Sequence, residues 1–194
     1  IFRLGGVVFL IAGIVMVVFV NFFMREHALN TAEQKARIIL DRNYATHTYF
    51  SQQLKPAVFE VTDPVTPPSY FDPKWMSSTY AVRQIDKYFQ SMNPADYYYK
   101  ECAINARSPK NEADAYERAF LKAVNAENSD IIKRADIRHI DGKPFYTVLR
   151  RAETMEKSCL RCHGDPENAP ADMVAIYGSE RSFHRKVGEV ISAV

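Results

Sequence analysis

The chain has 194 residues, 47% hydrophobic and 25% charged, which allows one modest domain plus an appendage and excludes a disordered or collagen-like chain. A net charge of +2 gives no electrostatic case for nucleic acid, and no solenoid-length repeat or low-complexity tract is present. Three cysteines are too few for a disulfide scaffold and leave at least one unpaired.

Leu4 to Met24 is a run of 21 residues without a charge, with Asn21 its one clearly polar side chain. At about 1.5 Å of rise per residue such a helix spans a bilayer. A cleaved signal peptide is the weaker reading, since its apolar core runs to about 7–15 residues. No small-residue cleavage site follows either, because the run leads into Phe22-Phe23-Met24-Arg25-Glu26. Residues 1–25 are therefore read as a transmembrane signal anchor. Arg3 and Arg25 flank it symmetrically, so charge does not orient it. Ile1 is not an initiator, so the natural chain is expected to begin upstream.

Residues 26–56 continue as helix. Ala28, Ala32, Ala36, Ile39, Asn43, Thr46, Phe50 and Leu54 recur at steps of three and four up to Pro56. This segment is either a rigid stalk pairing with a second copy to make a homodimer, or the first domain helix packing on its own core; the two are compatible. Residues 57–194 form the domain proper. Val61 to Pro73 is a proline-rich loop. Met76 to Met92 is a helix capped by Ser77 or Ser78, with Tyr80, Ile85, Tyr88 and Phe89 inward. Tyr97 to Ile104 alternates as a strand, and Asn111 to Asn128 is a helix with Ala115, Phe120, Leu121 and Val124 as its apolar positions. Ile131 to Ile140 and Phe145 to Arg151 flank Asp141-Gly142, a strong hairpin signal. Val187 to Val194 is a last strand that reaches the final residue, so more chain is expected to follow in nature. These elements describe an α+β fold, a PAS-like antiparallel sheet with flanking helices, preceded by one transmembrane helix running into the long stalk helix.

Cys159-Leu160-Arg161-Cys162-His163 is a C-x-x-C-H motif, the attachment signature of c-type haem. Two thiols three positions apart can each add to one porphyrin vinyl, and the next residue supplies an imidazole as proximal iron ligand. A zinc site would need a second Cys or His pair, and a thioredoxin-like redox pair would need a βαβ setting and no histidine. One covalent haem c is therefore expected, held by Cys159 and Cys162 with His163 on the iron. Haem c is attached outside the bacterial cytoplasmic membrane, so the domain is expected to be periplasmic on a single-pass inner-membrane anchor. His47, on one helical face with Leu40, Tyr44, Ser51 and Leu54, is the first candidate for the distal iron ligand. Met76 and Cys102 are weaker candidates, each more readily explained by core packing. Met155 lies too close to Cys159 in sequence, and His27, His139 and His184 have no supporting pattern. Arg107, Arg150 and Arg151 are candidates to pair with haem propionates, one of the three being expected to do so.

Several stretches resemble the Tll-like, PAS-related family of extracytoplasmic c-type haem sensor domains, found at the front of bacterial histidine kinases, chemoreceptors and diguanylate cyclases. They are Tyr98-Tyr99-Lys100-Glu101 through Ala106-Arg107-Ser108-Pro109 with Asn111-Glu112-Ala113-Asp114, then Asp141-Gly142. Ser158 to Gly164 follows, running through Pro166, Ala169-Pro170 and Tyr177-Gly178 to Lys186-Val187-Gly188-Glu189-Val190. The resemblance covers most of residues 36–194. It implies covalent haem on Cys159 and Cys162, His163 as proximal ligand, and a distal ligand that in some members comes from the N-terminal helix, as His47 would. The expected function is sensing of redox state or a diatomic gas for signal transduction. The alternative is a tethered monohaem electron carrier serving a respiratory or photosynthetic partner. An enzyme such as a peroxidase would need distal acid–base groups that the sequence does not single out, so the chain is read as no enzyme.

Overall fold

In a computed structural model, residues 2–92 and 97–194 are described. No proline interrupts the chain before Pro56, and helix α1 runs unbroken from Phe2 to Tyr49. Its apolar part is long and apolar enough to cross a membrane, with a mean hydropathy of 2.8, and no part of that window is covered by the rest of the chain. The first half-buried position is Leu29. From there a stripe at three- and four-residue steps, through Ala32, Glu33, Ala36, Ile39, Leu40, Asn43 and Phe50, faces the domain.

The expected stop at Pro56 does not occur. The helix widens into a π-helical turn, Phe50–Leu54, in which the Lys55 N–H donates to the Phe50 carbonyl. Helix α2, Lys55–Thr62, continues from it with Pro56 in its first turn. Proline has no N–H to give the preceding turn, and a widened turn there accommodates the missing bond. The stalk thus ends at Thr62, past the expected boundary.

A short helix α3, Pro73–Met76, is capped by the Asp72 carboxylate, which accepts from the Lys74 N–H at 2.9 Å. Ser77 then breaks the chain, and its hydroxyl accepts from the Tyr80 N–H at 3.2 Å to start α4, Ser78–Met92. The inward face of α4 differs from the expected one. Ser78, Val82 and Asp86 are buried, whereas Ile85, Tyr88 and Met92 are exposed. Asp86 explains the difference: it accepts from Arg42 of α1 at 3.1 Å, Gln90 at 3.1 Å and the Tyr97 hydroxyl at 2.7 Å. A satisfied polar node, with the Arg42 guanidinium also 4.2 Å over the Phe89 ring, replaces the apolar contact.

The strands are shorter than alternation suggested. Of Tyr97–Ile104 only β1, Cys102–Ala103, forms a ladder, and of Val187–Val194 only its antiparallel partner β4, Ser192–Ala193. The hairpin is as expected. Strands β2, Lys133–Ile140, and β3, Lys143–Arg150, pair antiparallel from Lys133–Arg150 to Ile140–Lys143, with Asp141 and Gly142 both at positive φ as a two-residue type I′ turn requires. Bridges Arg151–Ala193 and Thr154–Val190 bring the continuation of β3 beside the β4 segment, so the pairing runs β2, β3, β4, β1. Helix α5, Ala115–Val124, opens with a capping box in which Asp114 and Glu117 satisfy each other's backbone N–H groups, several residues later than the expected start. Its Phe120, Leu121 and Val124 pack with Cys102, Leu149, Val190 and Ala193 as one apolar core, while Ala115 is exposed. Helices α6, Leu160–His163, and α7, Ala171–Tyr177, close the fold over a second core of Phe71, Met76, Met173 and Phe183.

Three side-chain contacts hold the third strand and its continuation along the stalk: Tyr146 to Glu33, Arg150 to Asp41, and Glu153 to His47.

Candidate functional site

The C-x-x-C-H residues belong to a 3-10 turn, Lys157–Cys159, followed by α6. Gly164 ends that helix because a Cβ there would meet the Leu160 carbonyl oxygen at 2.7 Å. Arg161 ties the turn to the end of the stalk through two 3.1 Å bonds to the Asp63 carboxylate and lies 4.4 Å over the Phe59 ring. From the other side, the His163 and Gly164 carbonyls accept from the Arg185 and His184 N–H groups at 3.0 and 2.8 Å.

These anchors place Cys159, Cys162 and His163 in the wall of a cavity of about 580 Å³ that borders the second apolar core through Phe71 and Met76. That is the size range of small-molecule and cofactor sites. His163 Nδ1 lies 2.8 Å from the Ser182 carbonyl. A carbonyl only accepts, so Nδ1 carries the proton and Nε2 keeps its lone pair. Burial, with the nearby Arg107 charge, depresses the His163 pKa to about 4. The ring is neutral at neutral pH, the form that ligates a metal.

His47 also lines the cavity, from α1, the only one of the distal candidates on the stalk. Burial, with Lys55 adding repulsion, depresses its pKa to about 4. Its Nε2 meets Glu153 Oε1 directly. Burial raises the pKa of Glu153, and the neighbouring Glu101 carboxylate raises it further. Met76 lines the same cavity and is buried, with its sulfur accepting from the Asp72 N–H at 3.2 Å. Cys102 does not: it sits in the sheet core beneath α5, away from the cavity, with burial pushing its thiol up to about 12. It is removed from the distal candidates.

The three candidate arginines separate cleanly. Arg107 lines the cavity, donates to the Cys162 carbonyl at 2.6 Å and to the Met173 sulfur at 3.0 Å, and lies 4.9 Å over the Phe183 ring. Arg150 instead pairs with Asp41 on the stalk, and Arg151 donates to the Thr154 hydroxyl; neither lines the cavity. Arg150, at the end of β3, thus faces the stalk, and Arg151 faces the segment that continues the strand. Sequence reasoning missed other charged residues of the wall: Lys55, Arg83, Glu101, Glu153, Glu156 and Arg185. They come from five segments far apart in sequence, so no local spacing signals them. Among the described residues, Arg107 and Arg185 each line this cavity with a buried Nε that has no hydrogen-bond partner, and His47 Nε2 and Glu153 Oε1 meet only each other there. Buried polar atoms are almost always satisfied, so this concentration marks a site built for a polar and apolar guest together.

A family model described as Tll0287-like matches residues 25–194. Among solved structures, the crystal structure of the cyanobacterial heme-protein Tll0287 is similar in fold, at a TM-score of 0.60 and 16% identity, covering 82% of this chain and 89% of that one. No curated protein matches the chain.

Proposed function

The chain belongs to the Tll0287-like family, and from that premise we propose that it is a membrane-anchored, extracytoplasmic monohaem c domain that senses redox state or a diatomic gas. The observation that carries the reading is the cavity wall itself: two cysteines three apart, a neutral histidine with a free Nε2 beside them, and a second neutral histidine on the stalk helix. This donor set fits a haem c. Cys159 and Cys162 would hold the porphyrin as thioethers, His163 Nε2 the iron, and His47 the remaining iron position. Arg107, with an unpartnered Nε, is the cavity arginine suited to a propionate.

When bound, the haem supplies an iron whose charge and ligation respond to electrons or to small gases. The protein's part is to make that response mechanical. His163 is held by Ser182 and cannot turn without breaking its Nδ1 bond. His47 is differently placed: Glu153 lies against its ring as a ready alternative partner, and its backbone belongs to the helix that carries the apolar span. A ring with two partners, on a helix continuous with a membrane anchor, suits transmission of a signal to the membrane. That placement favours sensing over the electron-carrier reading, for which a continuous helix between distal ligand and anchor has no use.

The test is an absorption spectrum of the purified full chain, oxidised and reduced, before and after carbon monoxide, beside His47→Ala. A covalently held haem is expected, with His47→Ala converting the reduced form to one that binds the gas readily. A wild-type haem indifferent to carbon monoxide would support electron transfer or pure redox sensing. Spectra unchanged by His47→Ala would remove His47 as ligand, and no haem band would overturn the reading.

A further inference from the structure

The three contacts between the β3 strand and the stalk are in step. Between Tyr146, Arg150 and Glu153 the strand advances by four and then three residues, while their partners Glu33, Asp41 and His47 advance by eight and then six. Two helical rises of about 1.5 Å nearly equal one strand rise of about 3.3 Å, so β3 and the helix advance in the same direction, while Lys133, opposite Arg150, reaches back to Glu33, so the hairpin crosses the helix at a slant. Carried back at the same ratio, Gly142 comes level with Arg25. That is the first residue after the apolar run ending at Met24. The turn of the hairpin is thereby directed toward the level at which the helix leaves its apolar segment, where residues 25–28 are exposed, and α1 has no break between that level and the domain.

The turn is built for such a place. His139, Asp141, Gly142, Lys143 and Pro144 are all exposed. The other basic side chains of the hairpin are occupied, Lys133 by Glu33, Arg134 by Asp136, Arg138 by Asp114 and Arg150 by Asp41. Lys143 is in no ion pair among the described residues, and neither is Arg25 at the same level. Asp141 offsets part of this charge on the turn, which suits contact with individual lipid phosphates better than attraction by a broad basic field.

We propose that the β2–β3 turn is a second foot of the domain on the membrane, with Lys143 and Arg25 meeting lipid phosphates and Pro144 resting in the headgroup layer. This rests on reading the apolar helix as an anchor. A helix alone leaves a domain free to tilt. A helix with a foot some distance to its side does not, so a shift at His47 would act along or around the helix instead of tipping the domain.

The test places a photoreactive benzoylphenylalanine at one of three positions of the full chain, in nanodiscs of phosphatidylethanolamine and phosphatidylglycerol. The positions are Phe9 in the apolar run, Pro144 on the turn, and Val65 beyond the far end of the stalk; Phe9 and Val65 are 83% and 80% exposed. Mass spectrometry after illumination is expected to find phospholipid adducts at positions 9 and 144 and none at 65. Adducts at 9 but not at 144, or adducts at 144 to protein instead of lipid, would overturn the foot while leaving the anchor intact. No lipid adduct at 9 would overturn the anchor, and the foot with it. Lys143→Glu is expected to lower the lipid yield at 144 about fivefold in the anionic bilayer, and an unchanged yield would remove Lys143 from the contact.

Discussion

Glu112 shows how a single exposed-looking charge organises the approach to the site. Its carboxylate accepts from the Ala106 N–H at 2.9 Å and the Asn105 N–H at 3.1 Å, and from Arg118 and Arg181 at 3.0 Å each. Asn105 is in the left-handed region at φ 55°, so this carboxylate holds the bend that turns Arg107 into the cavity. Partial burial works against its ionisation, yet the two N–H bonds and two guanidinium partners outweigh that and lower its pKa. A depressed carboxylate stabilises the fold fully above the unfolded value and loses that contribution as pH falls through the folded one. Glu112→Gln is expected to cost about 1–3 kcal/mol at pH 7. It should also flatten the fall in melting temperature between about pH 5 and pH 3. Parallel acid titrations of melting temperature check both, and equal slopes for the two chains would refute the linkage.

Glu112 also marks the limit of what could be read from the residues. The C-x-x-C-H run stood out because its residue types and spacing sit within five consecutive positions, and three arginines could be named as partners for an acidic guest. The carboxylates Glu101 and Glu153 were not, since their meaning comes from facing His47 and each other across a cavity assembled by tertiary packing. The same holds for the choice among Arg107, Arg150 and Arg151, which strand direction decides.

At the scale of elements, the hairpin and α5 core were legible and the outer strands and α4 were not. Asp-Gly dictates a two-residue turn locally, whatever else the chain does. Alternation at Tyr97–Ile104 and Val187–Val194 describes side chains on two faces, but a ladder also needs a partner in register, and between these two segments only two residue pairs form one. On α4 an apolar face was expected and a buried aspartate took its place, because Arg42 and Tyr97 satisfy it. The hairpin's own prediction follows from its turn. Gly142 sits at φ 76°, where a β-branched side chain strains the backbone. Gly142→Val is expected to cost about 1–2 kcal/mol, or about 2–8 °C in a chain of this size. Gly142→Asn should keep most of the stability, since asparagine tolerates that region. Equal losses for the two variants would show that the turn is not held in its left-handed form.

For the whole molecule, the cavity borders one of the two apolar cores and takes its wall from the stalk, α4, the strands and the C-x-x-C-H turn. Arg107 Nε and Arg185 Nε in that wall are buried without a partner, and His47 Nε2 meets only Glu153, a cost that a guest with an apolar body and charged edges would relieve. On the proposed reading, the guest would contribute to the fold's stability as well as to its function. A chain with Cys159→Ser and Cys162→Ser, unable to hold haem covalently, is expected to melt about 10 °C or more below the haem-bearing chain, corresponding to several kcal/mol in a protein of this size. The loss should be uneven. Residues 43–54 reach the cavity through His47 and Ser51, whereas α5 packs in the sheet core and does not touch it. Hydrogen exchange in the cysteine variant should therefore quicken at residues 43–54 and change little at Phe120 to Val124. Uniform quickening would mean that the two cores are one cooperative unit. No change in either segment, with an unchanged melting temperature, would mean that the wall is self-supporting and that its unpartnered atoms are satisfied by water.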